Sequence, residues 1–168
     1  MKYIREWKFD DASDLAIAVN NKKVQDNLRD GIPFPYTGKD AEDYIQLVLS
    51  TPIDTAYFWA IHENNKAIGS IAILRKDNIH CRTAELGYYI GEYYWGKGIT
   101  TNAVKEACDY VFSHTDIIRI FAEPFLYNTA SCRVLEKAGF VFEGTLKKNA
   151  VKNGQVIDMK LYALVKNE

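Results

Sequence analysis

The run Glu85-Leu86-Gly87-Tyr88-Tyr89-Ile90-Gly91-Glu92-Tyr93-Tyr94-Trp95-Gly96-Lys97-Gly98-Ile99-Thr100-Thr101 holds the residues of this chain best spaced to do chemistry. It sets an apolar strand, a glycine-rich turn and a helix start in immediate succession. Backbone N–H groups converge in such a turn, and the first turn of the helix adds unpaired donors and a positive dipole end. Together they suit a phosphate or pyrophosphate. Gly96 and Gly98 allow close backbone approach, and Lys97 adds a point charge. Two familiar phosphate sites fail on inspection. Gly91-x₄-Gly96-Lys97 approaches the P-loop pattern, but Gly98 stands where magnesium binding needs Ser or Thr. No G-x-G-x-x-G opens the helix, which argues against a dinucleotide site. A purely structural glycine turn is the competing reading.

Composition makes a local anion device necessary. The 168 residues carry 21 basic and 22 acidic side chains, a formal net charge of −1. Such a balance argues against a nucleic-acid partner, and no long-range field gathers anions. The length suits one domain over residues 1–168, burying roughly 70% of the unfolded chain's surface without metal or disulfide. Cys81, Cys108 and Cys132 show no CxxC spacing and no clustering with histidine, so no metal site is expected and the thiols read as reduced. Charges in Met1–Glu6 argue against a signal peptide, and no apolar run approaches the ~20 residues of a membrane span. The expectation is a cytoplasmic protein with no membrane partner.

Periodicity supplies the elements that must position the turn. A strand is expected at Tyr3–Trp7, then a helix capped by Asp10 or Asp11 and running to Asn20. Prolines and glycine make Asp30–Tyr36 a loop, read as carrying exposed aromatics, before a helix over Asp40–Leu49. Tyr57–Glu63 and Ala67–Leu74 are strands joined by Asn64-Asn65-Lys66, and Ala84–Ile90 is a third. Helix Thr101–Ser113, strand Ile117–Pro124, helix Thr129–Ala138 and strands Phe140–Lys147 and Gln155–Lys166 complete the chain. Gly139 stands where a left-handed residue ends the preceding helix. The order is mixed α/β: a three-strand meander, a strand-helix-strand crossover that favours one parallel pair, and an antiparallel edge.

Thirty residues after Tyr94-Trp95-Gly96-Lys97-Gly98 comes Asn128-x-x-Ser131-x₇-Gly139-Phe140. The two motifs together resemble the GNAT superfamily of acetyl-coenzyme A-dependent N-acetyltransferases, and within it the RimJ/RimL branch. That resemblance implies a mostly antiparallel sheet of six or seven strands with a central splayed parallel pair and about four helices. It implies acetyl-CoA as co-substrate, with no metal. The pyrophosphate pattern Gln/Arg-x-x-Gly-x-Gly/Ala falls on Trp95-Gly96-Lys97-Gly98-Ile99-Thr100, departing at Trp95 and Thr100, and Thr101 offers a hydroxyl. Backbone groups of Tyr88 and Ile90 are expected to pair with the pantetheine arm, and Asn128 to touch the cofactor. The tyrosine that many members carry seven residues after that Asn is Leu135 here. Ser131 is then the expected acid, with helix capping as its other reading and Tyr127 as a weaker candidate.

Acetyl transfer needs a neutral amine, a stabilised oxyanion and a leaving thiolate. Glu85 is the expected base because it lies on the cofactor strand, with Glu123 on the neighbouring strand as second candidate and a water chain as third. His62, His80 and His114 lack partners at motif spacing and read as structural or surface residues. In the RimJ/RimL branch the acceptor is typically a protein N-terminal α-amine. Polyamine or aminoglycoside acetylation and a non-catalytic CoA-binding sensor are the alternatives. A homodimer is compatible with the resemblance, but no apolar seam names an interface.

Overall fold

A computed structural model describes residues 1–166. In chain order it comprises β1 (Ile4–Arg5), α1 (Ala12–Val19), α2 (Lys22–Gln25), α3 (Gly38–Ser50), β2 (Ala56–Glu63), β3 (Lys66–Arg75) and β4 (Thr83–Ile90). Then follow α4 (Ile99–His114), β5 (Arg119–Ala122), α5 (Thr129–Lys137), β6 (Val141–Lys152) and β7 (Gln155–Val165). The strands form one seven-stranded sheet in the order β1-β2-β3-β4-β5-β7-β6. Every pairing is antiparallel except β4 with β5. The expected meander, crossover and antiparallel edge are all present. Among the described residues the α-helices number five, with α2 a four-residue turn that periodicity cannot reveal.

Side-chain alternation gives the sheet two apolar faces, and each is covered. On one, Ile71, Ile73, Leu86 and Ile120 pack against Ala103, Val104, Ala107 and Val111 of α4 and Leu135 of α5. On the other, Trp7 and Ala60 pack with Leu15 and Val19 of α1 and Ala41, Ile45 and Val48 of α3. Each fully buried aliphatic side chain contributes about 1.5–3 kcal/mol. The helices stand where they do because their apolar residues recur at helical spacing and their ends are satisfied. The Thr37 hydroxyl accepts from the Asp40 N–H at 3.2 Å while the Asp40 carboxylate accepts from the Thr37 N–H at 2.8 Å, a reciprocal cap. Gly139 leaves α5 with φ of +97°.

Two expectations need correction. The first helix begins at Ala12 without a side-chain cap, because the Asp11 carboxylate is committed elsewhere. It accepts both terminal nitrogens of Arg5 at 2.7 Å and the Lys8 N–H at 2.8 Å. The Asp30–Tyr36 loop is only partly exposed. Phe34 is half open, but Tyr36 is buried, its N–H donating to Asn20 Oδ1 and its ring closing the second core.

The Arg5–Asp11 pair ties β1 to the start of α1, with both side chains nearly buried. Burial alone lifts the Asp11 carboxyl, but Arg5 and the Lys8 N–H outweigh it and hold it below the usual carboxylate range. A depressed carboxylate stabilises the fold above its unfolded pKa and loses that contribution as pH falls through the folded value. Asp11→Ala should cost about 3 kcal/mol in urea unfolding at pH 7, because it strands a buried guanidinium. The difference between variant and parent should shrink as pH drops below about 4. A constant difference down to pH 2 contradicts the assignment.

Candidate active site

The middle of the sheet is open. Pairing between β4 and β5 covers only Thr83↔Arg119, Ala84↔Ile120 and Glu85↔Phe121, whereas β4 runs on to Ile90. Beyond Ala122 the chain follows β7 instead. The Lys160 N–H donates to Pro124 O and the Leu126 N–H to Asp158 O, each at 2.9 Å, and Phe125 bridges Met159. The direction of the stranded β4 groups follows from their neighbours. The Gly91 N–H donates to Ile68 O and Thr83 O accepts from the Lys76 N–H, so odd-numbered residues turn their peptide groups to β3. Even-numbered ones face the other way, as Arg82 O shows by accepting from the Ile118 N–H. Tyr88 and Ile90 therefore present backbone groups to the gap, where β5 has turned away.

This free edge leads directly into the glycine turn. Gly96 and Gly98 have φ of +74° and +75°, a conformation costly for other residues, and a Cβ at either would meet nothing within 4 Å. The glycines are there for backbone shape and for open space in front of it. Gly98 is the N-cap of α4, and no side chain caps that helix. The first-turn N–H groups of Ile99, Thr100 and Thr101 are donors without intrahelical partners, at the positive end of a sixteen-residue helix. The Ile99 side chain is buried in the core, so this residue offers only its backbone. Trp95 folds back, its indole N–H donating to Ile90 O at 3.0 Å. The Lys97 ammonium lies over the Tyr93 ring at 4.1 Å and the Tyr94 ring at 5.3 Å. Helix end, glycine cradle and unpaired strand form one continuous polar track, which fits a pyrophosphate attached to an amide-bearing arm.

Across the gap, α5 carries the second motif. Asn128 Oδ1 accepts the Ser131 N–H at 3.1 Å, so Asn128 is the cap. The Ser131 side chain does not cap; its Oγ lies 2.7 Å from the Tyr88 hydroxyl. Capping leaves the Asn128 amide nitrogen free to reach a ligand.

Glu85 lies on the opposite face of the sheet. Its Oε1 accepts from Arg29 at 2.5 Å and its Oε2 from Lys76 at 2.6 Å. Arg29 also lies 3.9 Å from Glu123, so both candidate bases share one guanidinium. Burial lifts the Glu85 carboxyl, but Lys76 and Arg29 together hold it below its ordinary value. The Tyr127 hydroxyl donates to Asp26 O at 2.7 Å. His62 lies in β2, exposed His80 in a turn, and His114 ends α4 stacked on Tyr110. Sequence reasoning missed Arg29 and Lys76, which come from the loop after α2 and the end of β3, and no local pattern marks either. It also missed the Tyr88 phenol, although Tyr88 was singled out for its backbone. Among the described residues no cluster of three metal-ligating side chains occurs.

Residues 3–141 match the model of the acetyltransferase (GNAT) domain family. The chain is 30% identical over 138 residues to an uncharacterized N-acetyltransferase, p20, of Bacillus licheniformis, covering 80% of this chain and 77% of that one. It is 30% identical over 93 residues to the spermidine N(1)-acetyltransferase of Vibrio cholerae, spanning 55% of this chain and 53% of that protein. Among solved structures, the ribosomal-protein-S5-alanine acetyltransferase of Vibrio fischeri superposes with a TM-score of 0.82 at 27% identity, over 96% and 91% of the two chains. A RimL ribosomal L7/L12 α-N-protein acetyltransferase in complex with coenzyme A gives 0.86 at 21% identity, over 98% and 95%. With the polar track, the splayed pair and these likenesses together, the chain belongs to the GNAT acetyltransferase family and is an N-acetyltransferase.

Proposed function

We propose that the chain acetylates the α-amine of a peptide or protein N-terminus, by direct attack on acetyl-CoA in a ternary complex. The observation that carries this reading is the continuous track from the β4 edge at Tyr88 and Ile90 into the uncapped start of α4. Tyr88 and Ile90 would hold the pantetheine amides as an added strand is held. Residues 95–101 would hold the pyrophosphate through Gly96, Lys97 and Gly98 and the first turn of α4. Acetyl-CoA supplies an activated thioester. A β4 N–H polarises its carbonyl, and Ser131 meets the departing sulfur.

Glu85 stands on the amine side as the proposed base. Paired with Arg29 and Lys76 it is a weak one. An incoming ammonium competes with Arg29, which is mostly exposed, for Glu85 Oε1. Displacement of Arg29 removes one of the charges that depress the carboxyl, so the base gains proton affinity as the acceptor arrives. The lone pair released on the nitrogen forms the new C–N bond, and the C–S bonding pair leaves on sulfur. Glu123, with Arg29 as its ion-pair partner at 3.9 Å, is the second candidate for that proton.

The pairing of acidic residues in the N-terminal third favours a peptide over a polycation. Asp26 pairs with Lys22 and Asp30 with Lys152, and Asp11 is buried against Arg5. A polyamine needs acidic groups that are not already paired. The likeness to a spermidine acetyltransferase supports the small-amine reading as the second one. Thiol release measured against peptides, polyamines and aminoglycosides decides between them. Peptides should give kcat/KM at least tenfold above the best small amine, and the reverse order overturns the peptide assignment. CoA binding with no thiol release on any panel leaves a sensor.

Two variants test the parts. Gly98→Ala should weaken coenzyme A binding at least tenfold in calorimetry, since its Cβ enters the cradle, and should also cost about 1 kcal/mol of stability because φ there is +75°. Unchanged affinity removes the turn from the site. Lys76→Met should raise the Glu85 carboxyl, because burial then meets less opposition. A base works above its pKa, so the acid limb of kcat/KM should move to higher pH. A carbon-13 titration of the Glu85 carboxyl should move with it, and an unmoved acid limb excludes Glu85 as the base.

A further inference from the structure

Tyr88 enters the site twice, by its backbone and by its side chain. Its phenol crosses from β4 to α5 on the face opposite Glu85, with its ring packed against the larger core. The hydroxyl lies 2.7 Å from Ser131 Oγ and 3.2 Å from Ser131 O. A phenol has one proton, so these contacts allow two arrangements. In the first, Tyr88 donates to Ser131 Oγ and the serine proton is free to point elsewhere. In the second, Ser131 donates to the phenol, which donates to the Ser131 carbonyl, and the serine proton is tied up. Because Asn128 already caps α5, the serine side chain has no structural duty at the helix end.

We propose that Tyr88 is a positioning residue: its phenol donates to Ser131 Oγ and turns the serine proton toward the departing sulfur. The inference rests on Ser131 being the group that meets that sulfur. As the C–S bond breaks, its electron pair stays on sulfur and the thiolate accepts the Ser131 O–H hydrogen bond. Ser131 Oγ, drawn on by the anion, accepts from Tyr88 in turn, and such chains reinforce one another. Neither hydroxyl loses its proton. Sulfur is finally protonated from solvent, and the proton that Glu85 takes from the amine returns to solvent. Burial keeps the phenol protonated far above its ordinary range, so the donor persists across neutral and alkaline pH. The titratable groups facing it are the thiols of Cys108 on α4 and Cys132 on α5.

A double-mutant cycle separates this role from packing. Ser131→Ala and Tyr88→Phe should each lower kcat about tenfold, the worth of one hydrogen bond to a charged group, with the acetyl-CoA KM little changed. Tyr88→Phe added to Ser131→Ala should cost nothing more, because its route runs through the serine. Multiplying effects, or an unchanged kcat for Tyr88→Phe beside an impaired Ser131→Ala, overturns the proposal. A normal kcat for Ser131→Ala overturns instead the reading it rests on. Trifluorotyrosine placed at position 88 keeps ring and hydroxyl and tests the same point should the phenylalanine variant fold poorly. It should bring an alkaline fall in kcat that the parent lacks, and coincident profiles up to about pH 10 likewise overturn the proposal.

Discussion

The structure depends on a sheet that gives up one ladder in its middle. Unpaired peptide groups inside a protein are costly, about 1–3 kcal/mol each. After Ala122 the chain escapes that cost by pairing with β7, through Pro124 O, the Leu126 N–H and the Phe125–Met159 bridge. β4 has no such outlet. It stays in register with β3 up to Gly69↔Ile90, so it cannot bend to follow β5. One of its stranded carbonyls, that of Ile90, is met by the Trp95 indole from the turn that follows. A strand with unspent backbone valency in a seven-stranded sheet is a site for something that pairs like a strand.

The same alternation that fills two cores divides the chemistry. Even-numbered side chains of β4 face α4 and α5, which puts the Tyr88 phenol beside Ser131. Odd-numbered ones face the α1 and α3 side, which puts Glu85 beside Arg29 and Lys76. Leaving group and nucleophile are thereby handled on opposite faces of one strand. The near-neutral net charge fits this arrangement. The anion is met by a helix end and a glycine cradle rather than by a field of one sign.

Element order, the parallel pair and the glycine turn were legible in the sequence because each rests on local pattern. Apolar residues recur with period two or three and a half, and Gly96 and Gly98 mark positive φ. Strand ends were not. β1 shrinks to Ile4–Arg5 and β5 to Arg119–Ala122, since ladder partners rather than propensity set their length. β6 reaches Lys152 instead of stopping at Lys147 because a bulge around Lys148, with φ of 53°, lets it resume. The Asn153-Gly154 turn was a signal for that longer hairpin. Among site residues, Ser131 and Asn128 came from a motif, and geometry divided capping from chemistry between them. Arg29 lies fifty-six residues from Glu85 in the chain, so its pairing is a product of topology alone.

Amide hydrogen exchange along β4, followed by NMR with and without acetyl-CoA, tests the open edge most directly. The account predicts fast exchange at Tyr88 and Ile90 beside slow exchange at Gly87 and Tyr89. Acetyl-CoA should slow the first pair selectively. Equal protection at all four positions in the free protein, or no gain at Tyr88 and Ile90 on binding, would contradict it.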